Sequence, residues 1–289
     1  MYTIKERPIG IYEKAIPNRF DWAMKIKIAK AAGYDFIEMS IDETNERLNR
    51  LHWSKEKRKY IKDLLWQESF YINSICLSGH RKYPFGSKDP IIRRKAYDIM
   101  EQAIGLARDL GVSNIQLAGY DVYYEPSDDT TKALFLEGLK EATQMASSAN
   151  VMLSLEIMDT PFMGTITRCM PYIEEVDSPW LKIYPDIGNL SQWTKEPDEE
   201  LALGIHHTVG VHLKDTLPGK FKCVPFGQGT VDFEAFFRKI KTLEFKGPFL
   251  VEMWADNELE EDYDTCVSNI KTARQWLTKK AGEGFYASC

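Results

Sequence analysis

The stretch LSLEIMD, residues 153–159, decides the fold. It reads as a buried β-strand in which Leu153 and Leu155 face one way and Ser154 and Glu156 the other. A carboxylate that finishes an apolar strand is costly to bury unless it is paired or bound to a cation. The same build recurs downstream: KIYPDIG (182–188) brings Asp186 to the end of an apolar run, TVGVHLKD (208–215) brings His212, and PFLVEMW (248–254) brings Glu252. Four strand-like runs, separated by helix-like spacers, each place a metal-type ligand near the C-terminal end. One shared cation accounts for all four.

Working outward from these runs, the upstream half has the same rhythm. Strand-like segments fall at 8–12, 34–40, 71–78 and 113–119, ahead of those at 151–157, 181–187, 208–214 and 248–254. Apolar residues at helical spacing fill 20–33, 53–69, 91–111, 130–148, 165–176, 197–206 and 233–244, and a last helix reaches about Thr278. Strand and helix alternate eight times, and the strands are short and mostly apolar, as in parallel sheets covered on both faces. This predicts an α/β fold of a single domain, residues 1–289, closed into a (β/α)8 TIM barrel. An open doubly wound sheet calls for a glycine-rich phosphate turn, and no GxGxxG is present. No linker or low-complexity segment divides the chain.

With 289 residues the chain can bury a large core, and its net charge of −6 argues against a nucleic-acid partner, which brings a basic face. The opening MYTIKERPIGIY has no apolar leader and no run approaches membrane-spanning length, so a cytoplasmic protein without a membrane partner is expected. The five cysteines (Cys76, Cys169, Cys223, Cys266, Cys289) form no CxxC pair and read as reduced thiols.

Strand parity sharpens the site. Glu156 shares its side with Ser154 and Met152, His212 with Gly210, Asp186 with Tyr184, and Glu252 with Leu250. If the ligands point into the barrel, Ser154 and Gly210 leave room beneath a metal, at the C-terminal face where barrel enzymes work. Three carboxylates and one imidazole suit one divalent ion, Mn²⁺, Mg²⁺, Co²⁺ or Zn²⁺. Taken singly, a strand-end acid is an ordinary helix cap; taken together, the four make a metal site. His52, His206 and His207 read as solvated. His80, in LSGHRKYPFG (77–86), is served equally by a substrate contact and by an ordinary loop role. Glu13 and Glu38 end the first two strands within reach of the mouth.

At these residues the sequence resembles the metal-dependent ketose epimerases of the xylose-isomerase-like barrels. It is most similar to the L-ribulose-5-phosphate 3-epimerases, also called L-xylulose-5-phosphate 3-epimerases, of L-ascorbate utilisation. GIYEKAIP, DFIEMSIDET, QLAGYDVYY, EIMD, YPDIGNLSQW, HLKDT, VPFGQGTVDF and VEMW carry the likeness, from about Ile9 to Trp254. The chain departs from epimerases of free ketoses at Phe162, Asn189 and Pro218, where those have Glu, His and Arg. That is compatible with a phosphorylated substrate.

The resemblance implies 3-epimerisation of a ketopentose 5-phosphate. Inverting C3 needs a base on each face of a planar enediolate. Glu156 and Glu252 are assigned that role, with Asp186 and His212 as ligands only. His80, Arg81, Lys214, Lys220 and Lys222, with the VPFGQG loop (224–229), are the phosphate candidates. GYDVYY (119–124), Trp193 and Trp254 lie near the mouth, where they wall a pocket, pack, or form a subunit contact in a homodimer. An aldose–ketose isomerase of the hexulose-6-phosphate type is the nearer alternative. A metal-dependent phosphodiesterase like the abasic-site endonucleases is more remote, because five histidines and an acidic charge fit it poorly.

Overall fold

A computed structural model of the protein describes residues 7–286, so the reading of the extreme N-terminus and Cys289 lie outside the described residues. The barrel strands are β1 (Ile9–Tyr12), β2 (Phe36–Ser40), β3 (Tyr71–Leu77), β4 (Asn114–Ala118), β5 (Met152–Glu156), β6 (Leu181–Tyr184) and β7 (Val211–Leu213). A hairpin of β8 (Asp215–Leu217) and β9 (Lys220–Val224) follows, and β10 (Phe249–Val251) completes the barrel. Each barrel strand lies inside the run expected from sequence, and all pair in parallel in the order β6-β5-β4-β3-β2-β1-β10-β7.

The ring closes where β7 returns to β6, through bridges between Ile183 and Thr208 and between Asp186 and His212. Two backbone bonds hold this seam, Val209 N–H to Ile183 O at 3.1 Å and His212 N–H to Pro185 O at 2.9 Å. The ladder is sparse here because Pro185 offers no N–H, which also ends β6 at Tyr184.

The helices are α1 (Trp22–Ala31), α2 (Asn45–Leu48), α3 (Lys55–Gln67), α4 (Pro90–Leu110), α5 (Asp129–Ser148), α6 (Ile166–Val176), α7 (Ile187–Trp193), α8 (Pro197–Gly204), α9 (Phe233–Thr242) and α10 (Tyr263–Tyr286). Asp21, Ser54, Asp89, Asp128, Thr165 and Asp232 cap their starts by accepting backbone N–H groups. α4 begins on Pro90 and stops at Gly111, whose φ of 73° suits glycine. α2, α7 and the β8–β9 hairpin are additions to the expected pattern. The hairpin's KFKCV lacks a buried apolar face, so only pairing with Asp215–Leu217 makes it a strand.

Two separate apolar clusters mark the two faces of the barrel. Ile37, Met39, Leu153, Leu155, Val211 and Leu213 join the helices in the main core, while Tyr12, Phe36, Cys76 and Leu250 pack inside the ring. Inside it, too, stand the buried Glu38, Ser74, Ser154, Glu156 and His212. The room expected beside Ser154 and Gly210 is otherwise used. Ser154 accepts from Asn114 Nδ2 at 3.0 Å, and a Cβ at Gly210 would meet the Tyr184 ring at 2.6 Å. That ring stands edge-on to His212, with centroids 4.8 Å apart. Gly210→Ala is therefore expected to destabilise the fold by about 1–3 kcal/mol, the usual range for overpacking. A urea midpoint equal to the parent's would contradict this use of the glycine.

Candidate metal centre

The barrel places Glu156 at the end of β5, Asp186 just past β6, His212 within β7 and Glu252 just past β10. Their ligand atoms all lie within 4.8 Å of one another, and all four side chains are buried. Asp186 also caps α7, its Oδ1 accepting the Asn189 N–H at 3.1 Å, so the ordinary role of a strand-end acid and a place in the cluster coincide. The oxygens Asp186 Oδ2 and Glu252 Oε2 are buried without a well-directed hydrogen bond. Their near neighbour is the Lys214 ammonium, in ion-pair contact at 2.5 and 3.0 Å.

His212 stands between two sets of acids. Its Nδ1 lies 3.1 Å from Glu156 Oε1 and 3.7 Å from Glu252 Oε2, and its Nε2 lies 3.1 Å from Glu38 Oε1. Burial opposes a charged imidazole, but Glu38 and Glu156 outweigh it and hold the pKa of His212 above its ordinary value. Burial likewise opposes a charged Lys214, and Asp186, Glu252 and Glu156 keep it protonated. Burial pushes the carboxyls of Glu156 and Asp186 up, the latter to about 7. At Glu252 the charges of Lys214 and His212 outweigh burial and pull the carboxyl down. Three buried carboxylates, one imidazole and under-satisfied oxygens form a donor set that could hold a divalent ion.

A cavity opens over Glu156 and Glu252, and Arg81, Lys214 and Lys222 line it together with Lys14. Arg81 is held there by tyrosines of the GYDVYY segment, its guanidinium lying 5.5 Å from the Tyr120 ring centre and 4.8 Å from that of Tyr123. Tyr120 is buried and donates to Asp159, while Tyr124 is exposed and donates to Glu43 at 2.8 Å. Trp254 lines the cavity, 6.2 Å from the Tyr12 ring, while Trp193 stacks on Phe221, its indole N–H donating to Met158 O at 3.0 Å. Asn189 lines it as well, with Nδ2 donating to Ile157 O at 2.9 Å.

Two sequence candidates point elsewhere. His80 is buried, its Nε2 3.1 Å from Ala96 O and its ring 4.5 Å from Phe85. Burial drops its pKa to about 4, and it packs its loop onto α4 rather than facing the cavity. Lys220 is exposed on the hairpin, clear of the cavity lining. Glu13 does not reach the mouth either: it is wholly buried against Lys25, Arg47 and Arg50. Lys14 and the inward turn of Glu38 escaped sequence reasoning. The alternation of Phe36, Glu38 and Ser40 against Ile37 and Met39 is the signal that places Glu38 inside.

Residues 26–280 match the model of the xylose isomerase-like TIM barrels, and the chain belongs to that family. Within it the chain falls among the L-ribulose-5-phosphate 3-epimerases, enzymes of the isomerase class. It is 46% identical over 273 residues to L-ribulose-5-phosphate 3-epimerase UlaE of Escherichia coli (strain SE11), covering 94% of each chain. It is 48% identical over 283 residues to the Haemophilus influenzae protein SgbU, covering 96% of this chain and 97% of that one. Among solved structures, D-allulose 3-epimerase from Methylomonas sp., in complex with D-allulose, superposes with a TM-score of 0.76 at 20% identity, over 95% of this chain and 98% of that one. No described helix is long and apolar enough to cross a membrane.

Proposed function

We propose that the protein interconverts L-xylulose 5-phosphate and L-ribulose 5-phosphate by moving the proton on C3, with one divalent ion held by Glu156, Asp186, His212 and Glu252. The observation that supports this reading is the convergence of those four buried groups at the C-terminal mouth of the barrel, beneath a cavity lined by cations. When bound there, the ion would supply Lewis-acid stabilisation of the negative charge that develops on the sugar as the C3 proton leaves.

Glu156 and Glu252 stand on strands separated by β6 and β7, so each addresses the sugar from its own side. One carboxylate takes the C3 proton, and the carboxylic acid on the other side returns one to the opposite face of the enediolate. Lys214 is engaged by Asp186 and Glu252, and Lys14 by Asp42, which leaves Arg81 and Lys222 as the cations for the phosphate.

The deciding experiment is NMR of L-xylulose 5-phosphate in D₂O, with protein before and after chelator treatment. Deuterium at C3 appearing with L-ribulose 5-phosphate, lost on chelation and restored by Mn²⁺ or Zn²⁺, is the expected result. Exchange at C1 with an aldose product would instead make the protein an aldose–ketose isomerase on the same scaffold.

A further inference from the structure

His212 offers the cluster one nitrogen, and something must decide which nitrogen that is. Nδ1 faces Glu156 and Glu252, whereas Nε2 faces Glu38 Oε1 at 3.1 Å from the opposite side. Glu38 comes from β2, far from the other four residues in sequence, and is buried with no exposed surface. Its second oxygen, Oε2, accepts from Ser74 Oγ at 2.5 Å. The Ser74 bond fixes the rotation of the carboxylate, and a local irregularity supports it: between β2 and β3 the register shifts after Ile37, so that Ser74 lies opposite Glu38. The Tyr184 ring closes on the imidazole edge-on and limits its tilt.

From this geometry we propose that Glu38 is a positioning residue for the metal centre, fixing the tautomer and orientation of His212. An ionised carboxylate only accepts, so the proton shared with it belongs to Nε2. Nδ1 meets the Glu156 carboxylate at the same 3.1 Å and can donate to it as well, but a nitrogen that ligates an ion held with Glu156 and Glu252 must give up its proton, so the one retained is the Nε2–H that Glu38 accepts. Glu38 needs no contact with sugar or ion to do this. The Ser74–Glu38–His212 chain crosses the barrel interior from β3 and β2 to β7, so it also couples the side of the barrel without ligands to the side that bears them.

The inference rests on the proposed metal reading, and its test separates the two. Chelator-stripped protein is titrated with Mn²⁺ and free ion is read by EPR, for the parent, Glu38→Ala and Glu38→Gln. Thermal unfolding of the metal-free forms is followed in parallel. Removing an outer partner of a ligating histidine weakens metal binding about 10–100-fold, and that loss is expected for Glu38→Ala. Glu38→Gln keeps an acceptor for Nε2–H and a donor for Ser74, so its loss is expected to be smaller than that of Glu38→Ala. Should Glu38→Ala fail to fold, Glu38→Gln carries the test with its own weakened titration. Parent-like Mn²⁺ affinity in folded variants, even with lowered thermal midpoints, would reduce Glu38 to a packing residue and overturn the inference. A parent that binds no Mn²⁺ would sink the metal reading itself, and the role given to Glu38 with it.

Discussion

Glu252→Gln is expected to lower kcat for epimerisation about 10²–10⁴-fold, the usual worth of a positioned acid/base. The informative part of the result is what survives. If Glu156 and Glu252 serve opposite faces, a variant lacking one still holds the base for one epimer. In D₂O at saturating metal, Glu252→Gln is expected to exchange the C3 hydrogen of one epimer while converting neither. Glu156→Gln is expected to retain exchange with the other epimer. Glutamine preserves shape and one oxygen donor at each position, so metal stoichiometry, measured alongside, shows whether the ion is still held. Substantial turnover by fully loaded Glu252→Gln would end the two-base scheme, and exchange of the same epimer by both variants would mean that one carboxylate works both faces.

Much of this site is legible in the sequence because barrel geometry converts local pattern into position. An alternating strand fixes which side a residue faces, and a ring of parallel strands brings every C-terminal end to one mouth. Glu156, Asp186, His212 and Glu252 each finish or punctuate an apolar run, and the structure gathers them as that pattern requires. Glu38 carries the same alternation, but it sits inside its strand and its partner His212 lies 174 positions away, so the strand alone does not reveal what it faces. His80 shows the limit for loops. LSGHRKYPFG follows a barrel strand, yet the direction of His80 is set by a short turn over Ser78–Arg81 and by Phe85, neither of which has a periodicity to read. Arg81, the next residue, turns to the cavity because two tyrosines hold it there.

Glu13→Gln is expected to cost about 3–5 kcal/mol of unfolding free energy, the range for breaking a buried ion pair from one side. Glu13 is fully buried, with Lys25 at 3.2 Å, Arg47 and Arg50 at 2.5 Å each, and the Ser40 N–H at 2.9 Å. Burial alone would raise its pKa, but the charges of Arg50, Lys25 and Arg47 outweigh it and hold the carboxyl well below the ordinary range. Glutamine keeps the shape and removes the charge. Lys25, whose pKa burial already lowers, can shed its proton, but the two guanidiniums cannot. They would stay buried with Asp42, 3.5 Å from Arg47, as the acid paired with them among the described residues. The pH dependence identifies the cause. A depressed folded pKa gives stabilisation that is complete above the unfolded glutamate value of about 4.3 and is lost as pH falls toward the folded one. The gap between parent and variant should therefore narrow below about pH 5, and any slope above that reports the proton that Lys25 sheds in the folded variant. A gap that stays constant into acid would assign the loss to packing. Tyr12, which lines the cavity, donates to Ser40 at 3.0 Å, so loosening this cluster also loosens the β1–β2 wall of the site. The ionised Glu13 thus stabilises the scaffold at one remove from the chemistry, although its place at the end of a strand put it within reach of the mouth.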